Sequence, residues 1–156
     1  LPYFMGERSP VWDVNARGTI VGLSLSHTRA HVYRAFLEAV AYSLRHSMES
    51  TGTDLGDSIT VAGGAVRSKL WRQIIADVTG YSIVCPAKDV EANLGDVILA
   101  GVGTGCLTYE QVRGWQTMGR KVPCNQKNHE LYNRYYAMYR SVYRDLKGDM
   151  ASMASL

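Results

Sequence analysis

Ile59-Thr-Val-Ala-Gly63-Gly64-Ala-Val-Arg-Ser68-Lys-Leu-Trp-Arg-Gln73-Ile-Ile-Ala-Asp77 is the stretch on which the reading of this chain turns. Ser58 to Ala62 predicts a short strand, and an amphipathic helix follows from about Ser68 to Val78. Gly80 ends that helix, and Tyr81 to Cys85 predicts a second strand, stopped by Pro86. Strand, helix and strand with tight connections make a βαβ unit, so the strands are expected to be parallel with a right-handed crossover. Between strand and helix lies Gly63-Gly64. Glycine lets the main chain approach a ligand, and free N–H groups at a helix start favour an anion. The same pair also serves a tight turn, the default use of glycine. Ser68 suits a helix N-cap, a role compatible with touching a ligand.

Outward from this stretch the pattern stays α/β. Residues 1–17 carry Gly6, Ser9, Pro10, Asp13 and Asn15 and read as an irregular loop or loose hairpin. Gly18 to Leu25 alternates as a strand does. Thr28 to about Thr51 predicts the longest helix, with Arg34, Glu38, Arg45 and Glu49 on one narrow stripe. Phe36, Leu37, Val40, Leu44 and Met48 cover much of its remaining circumference, so it is expected to pack between other elements. Gly52 stops it. Glu91 to about Val102 predicts a helix of small residues, and Thr108-x-x-Gln111 a capping box. Asn128 to Leu146 predicts the last helix, with Leu131, Tyr135, Met138, Val142 and Leu146 on its apolar face. Residues 1–147 are read as one lobe, and Gly148 to Leu156, lacking a pattern, as a disordered tail.

The 156 residues suffice for one domain with a real core, at 46% hydrophobic and 20% charged residues. The net charge of +3 is scattered. With no basic run, nucleic acid is not implied. No window reaches the ~18 apolar residues of a membrane span. Cys85, Cys106 and Cys124 form no CxxC or zinc pattern and read as reduced, buried thiols of a cytoplasmic protein. The chain begins Leu1-Pro2, without an initiator Met or signal peptide, and reads as a fragment.

Other candidates weigh toward structure. Gln73 and Asp77 share a helix face, yet an aspartate in a last turn more often bonds locally than serves catalysis. Glu91 suits a helix start. Arg8, Arg17 and Arg29 are more often surface residues than phosphate ligands, and His27 and His31 loop and helix-surface residues rather than metal ligands. The five tyrosines between Tyr132 and Tyr143 have helical spacing and read as packing, not base stacking.

The motifs and their order resemble the FGGY carbohydrate kinases. They are Gly6-Glu-Arg-Ser-Pro10 with Trp12-Asp13 and Ala16-Arg17-Gly18, and Gly18-x-Ile20-x-Gly22-Leu23 with His31-Val32 and Ala35-x-Leu37-Glu38. Gly63-Gly64 with Ser68, Gln73 and Ala76-Asp77 continue the series, which Leu94-Gly95 and Ile98-Leu-Ala-Gly-Val-Gly-Thr-Gly105 complete. Departures are Phe36, Asp96 and Ser68, the last where many relatives carry asparagine. Xylulokinase-like members are nearest. The resemblance implies an actin-like ATPase (ribonuclease H-like) fold, this chain being the later part of the second lobe. It implies ATP-dependent phosphorylation of a sugar or polyol with Mg²⁺ held through the nucleotide, no metal ligand being identified here. Gly63, Gly64 and Ser68 are the implied ATP/ADP contacts, Gly64 at the phosphate–ribose region and Ser68 at the adenine.

The catalytic aspartate of such kinases is expected upstream of Leu1. No catalytic residue is therefore assigned, and the fragment alone is expected to be inactive. Exposed apolar surface and an open strand edge imply a homodimer. The alternatives are a non-catalytic nucleotide-binding or regulatory module of the same fold and a purely structural domain.

Overall fold

The structure, a computed structural model, describes residues 1–87 and 92–156, with the main chain alone at Ala65, Val66 and Ala92. Length suggests one domain; the chain divides into two compact units instead. One joins Leu1–Asp54, Asp77–Gly80 and Asn125–Leu156, the other Leu55–Ala76 and Tyr81–Cys124.

In the first unit, helix α1 runs Arg29–Ser50, from the N-cap Thr28 to the C-cap Thr51. Gly52 follows at φ 62, the left-handed turn expected of it. Helix α5 runs Gln126–Ala154 from the N-cap Asn125, whose side chain accepts the Asn128 N–H. The helix therefore continues through the stretch expected to be a disordered tail, and Met150 within it is 1% exposed. Its turns place that apolar side chain in the interior, which outweighs the polar run around it.

The buried face of α5 is also rotated from the expected one. Tyr132, Tyr136 and Tyr139 are buried, while Leu131, Tyr135 and Met138 are exposed. The reason lies on α1. Arg34 donates to the Tyr132 hydroxyl (2.8 Å), which donates in turn to Glu38 (2.9 Å). The Tyr136 hydroxyl donates to Glu49 (2.8 Å), and the Arg45 guanidinium lies 4.2 Å above the Tyr136 ring. Arg45 also reaches Asn133 (2.6 Å) and the Val78 carbonyl (3.1 Å). So the charged stripe of α1 meets tyrosines as well as water. Hydrogen bonds to charged groups contribute about 1.5–3 kcal/mol when buried, less where solvent screens them as here. Tyr42 adds ring contacts with Tyr132, Tyr136 and Tyr139 at 5.5–6.1 Å. Burial pushes the Tyr132 hydroxyl up to about 12, so it stays protonated and donates.

The entry segment is pinned to α5. The Tyr3 and Tyr139 hydroxyls are 2.6 Å apart and buried, and Tyr143 donates to Asp13 (2.7 Å). Glu7 and Asp13 exchange two backbone bonds at 2.9 Å, closing the expected loose hairpin. Gly18–Leu25, expected as a strand, is not one. A strand needs a neighbour to share its ladder, and among the described residues this segment pairs with another only at Thr19, whose N–H and carbonyl both bond Leu1. Ile20, Val21, Leu23 and Leu25 stand exposed.

In the second unit, β1 (Ser58–Thr60) pairs in parallel with β2 (Ser82–Val84), Ile59 opposite Ile83. Ile83, fully buried, exchanges two 2.8 Å bonds with Val122. Helix α2 (Lys69–Thr79) joins the strands and buries Ile74, Ile75, Ala76 and Val78; its last turn belongs to the first unit. Helix α3 is described from Ala92 to Gly103, so Glu91, expected at its start, lies outside the described residues. Thr108 caps the short α4 (Tyr109–Val112) with the expected capping box. Cys85 is buried as expected, but Cys106 is exposed and Cys124 half-buried; none of the three is in a disulfide.

Two outcomes follow. Met150→Ala is expected to destabilise the protein by about 2 kcal/mol or more in urea titration, and Met153→Ala, at an exposed position, by less than about 0.5 kcal/mol. A tail without structure would give no difference. The second concerns acid. Burial opposes ionisation of Glu49, but its bonds to Arg45 and Tyr136 hold its carboxyl below the usual value. A carboxyl lowered by folding stabilises fully above its unfolded value near 4.5 and loses that contribution as pH falls through the folded value. Glu49→Gln is therefore expected to lower the melting temperature at pH 7 and to flatten its fall below pH 4.5.

Candidate nucleotide-binding turn

The turn between β1 and α2 gives its two glycines different tasks. Gly63 has φ 84 and ψ −162, a conformation essentially confined to glycine. Gly64 has ordinary φ and opens a 3-10 turn, Gly64–Arg67. Among the described residues, a Cβ placed on either glycine would meet nothing within 4 Å. The turn is thus open on the side where these residues would carry side chains, as a main-chain cradle for a ligand must be. The strand delivers the turn in register, because the Val61 N–H bonds the Val84 carbonyl (2.9 Å) just beyond the β1–β2 pairing.

Ser68 closes the 3-10 turn and starts α2. Its hydroxyl accepts the Trp71 N–H (3.2 Å) and its carbonyl the Arg72 N–H (3.0 Å). It is the N-cap of α2. Further along, Gln73 donates to the Pro123 carbonyl (3.0 Å). Gly63, Gly64 and Ser68 therefore come together on one strand–turn–helix corner.

The other candidates have structural tasks. Asp77 is 2% exposed. One of its oxygens accepts the Asn125 N–H and the other the Asn128 side-chain amide, both at 2.8 Å. The His129 Nδ1–H donates to the Asp77 carbonyl (2.8 Å). This carboxylate fastens the start of α5. Sequence reasoning missed Asn125, Asn128 and His129; their one signal is Asn125 placed three residues before Asn128, an N-cap spacing. Arg17 bonds the carbonyls of Val14 and Ala16, while Arg8 and Arg29 are exposed. His27 Nδ1 accepts the Ser24 N–H and His31 Nδ1 the Thr28 N–H, as a loop residue and a helix-start residue. Among the described residues, no group of three or more His, Cys, Asp or Glu could hold a metal ion, and no helix is long and apolar enough to cross a membrane. An apolar cavity in the first unit, of about 270 Å³ and lined by Val32, Phe36 and Met138, carries none of the turn's residues.

A parallel βαβ corner with a double-glycine turn and a capped helix places the chain among the α/β proteins. The sequence profile of the FGGY family of carbohydrate kinases, C-terminal domain, matches residues 1–104, and the chain belongs to that family. It is 34% identical over 160 residues to a xylulose kinase of Staphylococcus epidermidis, covering 99% of this chain and 32% of that enzyme. A glycerol kinase of Saccharolobus islandicus is 34% identical over 140 residues, covering 85% and 28%. The crystal structure of ligand-bound xylulose kinase from Lactobacillus acidophilus superposes with a TM-score of 0.83 at 26% identity, over 98% of this chain and 32% of that one. The fold is the actin-like ATPase fold, and the chain is xylulokinase-like, part of the C-terminal lobe. It spans about a third of the length of these relatives.

Gly63→Ala is expected to cost about 1–3 kcal/mol, because alanine is strained in that conformation. Gly64→Ala should stay within about 0.5 kcal/mol of the parent. Paired urea titrations decide, and equal costs would mean that the turn is placed differently.

Proposed function

We propose that this chain supplies the adenosine wall of an ATP-dependent kinase that phosphorylates a sugar or polyol hydroxyl. The observation that carries the reading is the corner itself. Gly63 holds a turn only glycine adopts readily, a Cβ on Gly64 would meet no described atom, and a capped helix begins five residues on. Main-chain N–H groups at such a helix start favour a phosphate. In this reading Gly63 and Gly64 face the phosphate–ribose part of ATP or ADP, and Ser68 lies toward the base.

Family membership supports phosphoryl transfer as the chemistry. Such transfer rests on positioning and on charge stabilisation around an in-line attack. Mg²⁺ would reach the site on the nucleotide's phosphates, where it would offset their charge. The corner's part is to bind and orient the adenosine; the base that deprotonates the sugar hydroxyl is proposed to lie upstream of Leu1, and the chain alone to be inactive. A cytoplasmic location and a homodimer belong to the same reading, the latter supported by exposed Ile20, Val21, Leu23 and Leu25. Xylulose and glycerol are the acceptors to try first, since they give the similar kinases their names.

The test is titration calorimetry with ADP. Gly64→Val is expected to weaken binding at least about tenfold, ~1.4 kcal/mol. Its side chain would fill the open space, and no positive φ strains it. Unchanged ADP affinity in a folded Gly64→Val protein would remove the cradle from Gly64.

A further inference from the structure

We infer that His46 makes the packing of α5 on α1 sensitive to acid: a proton on its Nδ1 loosens the middle of α5 from α1. The start of α5 is held separately, by the bonds of Asn125 and Asn128 to Asp77.

The imidazole of His46 sits where the two helices meet. Its ring stands roughly perpendicular to those of Tyr136 and Tyr139 on α5, at centroid distances of 6.4 and 6.5 Å. Both tyrosines are buried. His46 Nδ1 is shut off from solvent and has no hydrogen-bond partner among the described residues. A neutral imidazole tolerates this, with its hydrogen on Nε2 and Nδ1 bare. An imidazolium carries hydrogen on both nitrogens, so Nδ1–H would be a buried donor without an acceptor. Ring faces attract a cation only within about 6 Å of the centroid, so these tyrosines offset little of that cost.

The charges around the ring do not reverse it. Arg140 on α5 opposes a positive charge at His46, and Glu49 on α1 favours one. Glu49 is already engaged by Arg45 and by the Tyr136 hydroxyl, both at 2.8 Å. Arg45, a second cation on α1, lies over the Tyr136 ring. Glu7 of the entry segment is bonded to Ser43, about one turn before His46. Burial pushes the hydroxyls of Tyr42, Tyr136 and Tyr139 up, so none of them supplies an anion. Burial first, and Arg140 second, push the His46 imidazole below its ordinary 6.5. The unfolded chain therefore takes up this proton before the folded one does. The contribution of His46 to stability is complete above 6.5 and is lost as pH falls through the folded value.

The experiment has two parts. The first is an NMR titration of the histidine ring and backbone amide signals of the parent protein. His46 is expected to titrate below 6.5, and the amides of Tyr136–Tyr143 to shift with it. The second compares the melting temperature at about pH 7.5 and about pH 5.5 in the parent and in His46→Gln. The fall on acidification is expected to be smaller in His46→Gln by about 2 °C or more. His27, His31 and His129 are common to both proteins, so the difference isolates His46. A His46 ring that titrates at or above its ordinary value would overturn the inference. So would α5 amides that stay unmoved while the ring titrates, or equal falls in melting temperature. The ring titration needs no variant and decides alone should His46→Gln fail to fold.

Discussion

Much of the first unit depends on one buried carboxylate. Asp77 is almost wholly removed from water, and an unpaired charge there would be strongly destabilising. Its two oxygens are met by the Asn125 N–H and the Asn128 amide, so its hydrogen bonds hold only while the start of α5 stays where it is. The Asn125 N–H is one of the groups a helix start leaves without an intrahelical partner. One contact therefore satisfies a buried acid and fixes a helix. Everything α5 does downstream inherits that placement, including its row of buried tyrosines.

That row explains why α1 carries charge where an amphipathic helix would carry leucine. Tyrosine brings a large apolar ring and a hydroxyl that needs a partner when buried. Tyr132 and Tyr136 find theirs in Arg34, Glu38 and Glu49. The i,i+4 pairs Arg34–Glu38 and Arg45–Glu49, at 2.7 and 2.8 Å, hold these charges in place along α1. The sequence shows this stripe only as a row of charges at helical spacing. Only the facing helix reveals that the hydroxyls on α5 and the charges on α1 complete each other. For the same reason the apolar face expected of α5, through Leu131, Tyr135 and Met138, lies about one position away from the buried one.

Features set by local chemistry were legible in the residues. The βαβ unit, the Ser68 cap, the Gly52 stop and the Thr108 capping box each follow from a few neighbouring side chains. Features that depend on distant partners were not. Gly18–Leu25 alternates as a strand does, but alternation cannot supply a second strand, and among the described residues the segment pairs with another only through Thr19. Residues 148–156 lack periodicity, yet one buried methionine marks a helix that runs on to Ala154. The candidate site lay between these cases. Its residues were legible as a group, but the tasks of the two glycines were not, since identical letters carry no φ.

The division of labour at Gly63-Gly64 bears on why the corner can serve a ligand. A turn built from one strained glycine followed by a residue with a side chain would fold as readily, because Gly64 has ordinary backbone angles and needs no glycine for its own sake. Folding accounts for Gly63; it leaves Gly64 without a structural reason. Among the described residues nothing lies within 4 Å of the missing Cβ, so none of them packs against it. What remains is room. Glycine at that place keeps the main chain bare beside a helix start, and a bare main chain is what lets an anionic ligand approach N–H groups directly. In the proposed reading that room is where the nucleotide would lie.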